Sequence, residues 1–200
     1  MTGDILMLIV LNDPAVVESE LREGRLVCPH CNGELRPWGH ARRRVLRTQT
    51  NNEELRPRRA RCSKCHMTSV LLADICLCRR VDEAAVIGRA LLEKAAGAGH
   101  RTIAIRLARP KETVRGWLRR FSSRVVLLQD HFRHWAFALD PRLEMIPPQG
   151  SGFADALEAI GLATRAASLL FGPRPVWSWV SAMTGGALLS NTNSPFPAPR

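Results

Sequence analysis

Apolar residues recur at helical spacing between His100 and Phe121, where Ile103, Ala104, Leu107, Val114, Trp117 and Leu118 line one side of two segments broken at Arg109-Pro110. Proline lacks an amide donor and its ring clashes with the turn before it, yet it is favoured at a first helical position, so Pro110 opens the second segment. The pattern predicts two short helices sharing a buried seam. Ala104 sits where they come closest, and Val114 and Trp117 close the angle from the other side. The turn carries Ala108, where glycine would be usual. Alanine ends a helix without a left-handed residue, so a different turn is expected.

Elsewhere the pattern predicts a buried strand at Ile5 to Leu11 and a helix that Asp13 caps, Pro14 opens and Arg22 closes. Strands follow around Leu35 to His40, Arg43 to Arg47, Arg58 to Cys62 and Thr68 to Leu72, with the breaker-rich Gln49 to Glu54 between them. Asp82 is expected to cap a helix through Ala96 that Gly97-Ala-Gly99 ends, and its face of Val86, Ala90 and Leu91 gives the seam a third helix. Ser122 or Ser123 is expected to cap a longer helix through Val126, Leu127, Phe132, Trp135 and Leu139. Pro147 to Gly152 reads as a linker, Phe153 to Phe171 and Val176 to Met183 as apolar helices, and the ending as a loose tail. The fold class is mainly α with a small β unit, an α+β chain.

Two hundred residues, 46% of them apolar, suffice for a folded core. The net charge of +11 is uneven: Leu35 to His66 holds ten basic residues against two acidic, and His100 to Arg124 holds eight against one. The rest of the chain is net negative. Positive charge concentrated in this way attracts a polyanion through counterion release, and nucleic acid is the commonest such partner. No apolar run approaches the roughly eighteen residues of a membrane span, and the N-terminal run lacks the basic flank of a signal peptide, so a cytoplasmic protein is expected with no membrane partner.

Cys28-Pro-His-Cys31 and Cys62-Ser-Lys-Cys65 each place two thiols two residues apart, a spacing that lets both turn onto one ion from a tight knuckle. Two knuckles complete a tetrahedral site for one structural zinc ion, with Cys28, Cys31, Cys62 and Cys65 as ligands. Reduced structural cysteines, disulfides and a redox pair are the alternatives. A closed four-cysteine site leaves no position for substrate, so it is no evidence for an enzyme. His30 and His66 lie beside the ligands, while Cys76 and Cys78 read as packing residues. The whole unit resembles a zinc ribbon, in which metal replaces a hydrophobic core.

The helix pair, with its small residue followed by apolar ones ten and thirteen positions later, resembles the helix-turn-helix of repressors and transposases. That resemblance implies a second helix in the major groove, presenting Lys111, Glu112, Thr113, Arg115 and Arg119 to base edges. Arg101, Arg106 and Arg120 would hold phosphates, and Arg42, Arg43, Arg44, Arg58 and Arg59 of the ribbon would extend the footprint along the backbone. Glu112 suits a solvated or cytosine-facing position. An ordinary helical hairpin with solvated arginines is the competing account.

Paired knuckles, a basic ribbon, then Thr113-Val-Arg-Gly-Trp-Leu-Arg-Arg120 resemble, over residues 26 to 122, the N-terminal DNA-recognition part of bacterial insertion-sequence transposases. Nearly the whole chain resembles an uncharacterised family of short bacterial zinc-ribbon and helix-turn-helix proteins, including Trp38-Gly39 and Thr184-Gly-Gly. The expected divisions are residues 1–25, an N-terminal strand and helix; 26–80, the ribbon; 81–140, the DNA-binding helices; 141–152, a linker; 153–188, C-terminal helices; and 189–200, a tail. Transposase chemistry needs three carboxylates on a sheet that hold two magnesium ions, and only Asp130, Asp140, Glu144, Asp155 and Glu158 follow Arg124, on helices or loops. The expectation is therefore a sequence-specific double-stranded DNA-binding protein that is not an enzyme, either a transcriptional regulator or a transposase-related recognition protein. A transposase or nuclease with an unrecognised active site, and an RNA- or protein-binding ribbon, are the alternatives. The C-terminal helices pack within the chain or form a homodimer, and no small-molecule substrate is indicated.

Overall fold

A computed structural model of the chain describes residues 6–190 and 196. Ile5 and the expected tail, apart from Leu189, Ser190 and Phe196, lie outside the described residues. The architecture is mixed α+β.

The N-terminal run forms β1 (Leu6–Val10) and runs parallel to β6 (Thr68–Ala73), with Leu8 opposite Leu71. Both of its faces meet core clusters, although Met7 stays exposed. Leu6, Leu8 and Val10 turn to one cluster with Leu35, Ala60 and Leu71, while Ile9 turns to another with Leu46, Leu72 and Cys76. Asp13 then caps α1 (Pro14–Arg22), accepting from the amides of Ala15 at 2.9 Å and Val16 at 3.2 Å. Val17 and Leu21 of α1 seal the first cluster.

Strands β2 (Leu35–His40) and β5 (Arg58–Cys62) pair antiparallel, β5 pairs antiparallel with β6, and the sheet order is β1-β6-β5-β2. A separate hairpin joins β3 (Arg44–Arg47) to β4 (Asn52–Leu55). Strand β4 corrects the expectation that Gln49 to Glu54 is all connecting loop. The turn is confined to residues 48–51, where the Thr48 hydroxyl accepts the Asn51 amide at 3.1 Å, so the polar run from Asn52 is free to pair with β3.

Six residues of the predicted seam are buried between α3 (His100–Arg106) and α4 (Lys111–Ser122), with α2 (Ala84–Ala95) behind them. The turn differs from expectation. Ala108 is left-handed at φ +50°, its amide reaches the Ile105 carbonyl at 3.1 Å, and the Arg109 amide reaches the Ala104 carbonyl at 3.0 Å. This is the double bond pattern that normally places glycine at such a helix end. Packing of the seam holds alanine in a conformation it disfavours.

Two capping expectations are also corrected. The residue flanking α2 is Glu83, which makes no side-chain cap, because the Asp82 carboxylate is committed to Arg47 at 2.7 Å and Arg109 at 2.6 Å. Ser122 and Ser123 end α4, Ser123 Oγ donating to the Arg120 carbonyl at 3.0 Å, and α5 (Val125–Leu139) starts after Arg124.

Helix α6 (Gly152–Phe171) packs along α5, and α7 (Val176–Met183) packs on both α6 and α2. Trp177 of α7 lies against Gly88 of α2, Trp179 donates its indole N–H to Ser168 at 2.8 Å, and the Ser181 hydroxyl donates to the Cys76 carbonyl at 2.6 Å. One hydrophobic core therefore reaches from Leu77 to Phe196 and takes in Ile146 of the proline-rich connection. Among the described residues no helix is long and apolar enough to cross a membrane.

Candidate metal centre and basic surface

Each cysteine pair sits in the same backbone loop. The Asn32 amide bonds the Cys28 carbonyl at 2.9 Å and the His66 amide bonds the Cys62 carbonyl at 3.2 Å, with Asn32 and His66 both left-handed at φ +56° and +61°. Cys28 and Cys62 then close their loops onto the Gly33 and Met67 carbonyls at 2.7 and 2.9 Å. Pairing of Leu35 with Cys62 across β2 and β5 brings the loops together, so the sheet register sets the site.

All four cysteines are free thiols, with the sulfurs within 4.8 Å of one another: Cys28 to Cys65 is 3.7 Å and Cys31 to Cys62 is 3.4 Å. Four sulfurs at tetrahedral bonds of roughly 2.3 Å to one ion lie about 3.8 Å apart, so the cluster fits a single metal ion. Neither His30 nor His66 joins the cluster. A Cβ added to Gly33 would fall 2.9 Å from the Cys62 sulfur and 2.7 Å from the Lys64 side chain, which makes glycine a requirement of the cradle.

The thiols differ in acidity. The Cys65 amide, 3.4 Å from the Cys62 sulfur, leads the donors that bring that thiol down to about 6 against the cost of its burial. At Cys65 the Met67 amide acts in the same sense, but burial and the thiols of Cys31, Cys62 and Cys28 outweigh it and push the group up to about 12. One sulfur ionises readily and its crowded neighbour resists. A cation at the centre is what would let all four carry charge together.

On α4 the residues Lys111, Glu112, Arg115 and Arg119 stand in solvent, while Val114, Trp117, Leu118 and Phe121 are buried behind them. Glu112 pairs with Arg115 at 2.8 Å. Thr113 is half-buried, as is Arg120, which donates to the Gly116 carbonyl at 3.1 Å. Arg101 is exposed on α3, and Arg106 pairs with Glu93 of α2 at 3.2 Å. Between the two helices lies a shallow concavity lined by Arg101, Ile105, Ala108 and Lys111, with Ile105 82% exposed.

The arginines of the sheet unit divide. Arg42 is exposed, Arg59 is half-buried, and Arg43 is exposed but paired with Glu54 at 2.6 Å. Arg44 instead donates to the Arg80 carbonyl, and Arg58 holds Glu18 at 2.5 Å and the Gly39 carbonyl at 2.7 Å. Those two guanidinium groups serve the fold.

Cysteine cluster, basic sheet and helix pair thus follow one another from Cys28 to Trp117. Residues 28–117 match a family described as Domain of unknown function (DUF6431). The DUF6431 match begins on the first cysteine of the cluster and stops within α4, covering less than half of the chain. No curated protein and no solved structure matches.

Within the DUF6431 span lies an arrangement that sequence reasoning missed. Asp82, 2% exposed, joins Arg47 of β3 to Arg109 of the α3–α4 turn, and Arg109 also donates to the Thr48 carbonyl at 2.6 Å. The Arg47 amide meets the Val81 carbonyl at 2.7 Å, and the Glu83 amide meets the Arg47 carbonyl at 3.0 Å. The hairpin and the helix pair are fastened together at this point. Its only sequence signal is an acid at the edge of two basic stretches.

Proposed function

We propose that the chain is a sequence-reading, double-stranded DNA-binding protein built from a structural zinc module and a helix-turn-helix. The observation that carries this reading is α4, an amphipathic helix whose buried side is packed on α2 and α3 and whose solvent side presents Lys111, Arg115 and Arg119 one turn apart. A planar guanidinium can hold both acceptors of guanine, so Arg115 and Arg119 are the base readers, Glu112 orients Arg115 through their ion pair, and Lys111 and Thr113 flank them. Arg101 and Arg106, with Arg120 at the other end of α4, act on phosphates.

Zinc is the metal whose usual protein site is four cysteines in a closed tetrahedron, and its role here is to hold the β2–β5–β6 sheet together. Arg59 of β5 and Arg42 and Arg43 of the β2–β3 connection reach toward the backbone of the same duplex. The order of the parts fits a transcriptional regulator or a recognition protein of the transposase type, and the charge concentrated on these surfaces fits a nucleic-acid partner.

The test is selection of bound fragments from a sheared genomic library by zinc-loaded protein, followed by affinity measurements on Arg115→Ala. The variant should lose about 1 to 3 kcal/mol on the selected duplex and little on random duplex, flattening the preference. Equal weakening on both duplexes would refute base reading by Arg115.

A further inference from the structure

We propose that the outer face of the sheet around Trp38 is a stacking site for an unpaired nucleobase. Trp38 is 51% exposed, whereas Trp117, Trp177 and Trp179 are 3%, 9% and 8% exposed and Trp135 is half-buried. A ring left so far in water is unusual for the largest apolar side chain. It is held in place from one face: the Arg61 guanidinium of the neighbouring strand lies over the ring, 4.7 Å from its centroid, so a base would stack on the opposite face. Register puts Arg36 beside Arg61, and Arg59 follows two positions along on the same face. β2 is one of the two edge strands of its sheet, and the irregularity between Pro37 and His40, with Gly39 at φ +90°, sets Trp38 off from the regular pleat.

A flat indole with one guanidinium over it and two more on the same sheet face matches a ligand that is aromatic and polyanionic at once. Single-stranded nucleic acid has that chemistry, with bases that stack and phosphates that pair with arginine. A duplex does not, because its base faces are already covered by their neighbours. Arg36 is partly neutralised by Glu34 at 2.7 Å, which leaves Arg61 and Arg59 as the main phosphate partners. This site extends the nucleic-acid reading above but uses none of the α4 side chains.

Because Trp38 is the exposed tryptophan, stacking on it can be read in the intrinsic fluorescence of the full-length, zinc-loaded chain. Titration with an oligothymidylate of about twelve nucleotides should quench emission. Trp38→Leu should remove the quench and bind roughly ten- to hundred-fold more weakly, and Trp38→Phe should keep most of the affinity. Unchanged urea midpoints for both variants check that they are folded. Equal binding by Trp38→Leu and wild type would overturn the proposal, and so would equal quenching by an oligoglutamate or by a blunt duplex. Arg115→Ala should leave the quench intact; its loss there would place the single strand on α4 and overturn the Trp38 site. Failure of duplex preference with the quench retained would instead strike only at the α4 reading.

Discussion

Gly88 lies inside α2, where helix propensity alone says that alanine should be better by about 1 kcal/mol. The structure reverses that sign. A Cβ at Gly88 would stand 1.8 Å from Cε2, 2.1 Å from Cδ2 and 2.2 Å from Nε1 of Trp177, where ordinary contact begins near 3.4 Å. The indole would have to retreat by more than its own van der Waals tolerance, and it belongs to a helix tied down by the Trp179–Ser168 and Ser181–Cys76 bonds. If α7 yields slightly, overpacking costs about 1 to 3 kcal/mol. If the ring is expelled, roughly 200 Å² of buried aromatic surface is lost, worth about 5 kcal/mol. After the gain in propensity, Gly88→Ala should leave the chain no more stable and destabilise it by up to about 4 kcal/mol. Urea unfolding followed by circular dichroism measures this, and the informative control is the same change in a Trp177→Ala background. There the clash is gone, so Gly88→Ala should stabilise by about 1 kcal/mol. A raised midpoint for Gly88→Ala in the wild-type background would refute the close docking of α7 on α2.

Ala108→Gly should stabilise by about 0.5 to 1 kcal/mol, the relief of a left-handed alanine less the entropy glycine adds to the unfolded chain, and thermal unfolding reads the sign. Asp82→Ala should cost about 3 to 5 kcal/mol, because it strands Arg47 and the nearly buried Arg109 without a counter-charge; a loss under about 1 kcal/mol would show that the contact is incidental. Burial, against the pull of the Met183 carbonyl at 2.9 Å, holds His131 below its usual value of 6.5, with His134 adding to the effect. The unfolded imidazole therefore takes its proton first, so stability from this group is complete above about 6.5 and declines as pH falls below it. Urea midpoints at neutral and mildly acidic pH should show a smaller decline for His131→Gln than for wild type.

Much of the fold could be read locally. Strands at Leu35–His40 and Arg58–Cys62 and the helix Val176–Met183 lie where the apolar pattern and turn residues predicted them, because both signals act over a few neighbours. The cysteine cluster was legible for the same reason: two residues between thiols is a local geometry. What escaped depends on distant partners. Nothing in β1 announces that it pairs in parallel with β6, and Asp82 reads as a cap until Arg47 and Arg109 are seen to claim its carboxylate. Ala108 escaped because seam packing from both helices overrides a local preference. Arg44 and Arg58 look like any surface arginines in a basic run, and only their partners in the fold distinguish them.

On the proposed DNA-binding reading, the Asp82 fastening bears on affinity as well as on stability. Two basic surfaces joined by a loose tether bind one polyanion as two events, the second aided only by the local concentration the tether allows. Here the hairpin is held to the helix turn by two ion pairs and by backbone bonds on both sides of Asp82. Once one surface has engaged, the other needs no further search and sacrifices little orientational freedom. If the chain binds DNA as proposed, the fixed spacing would also make it a ruler: a duplex whose phosphates do not match the separation would gain from only one surface, giving discrimination by length and curvature before any base is read.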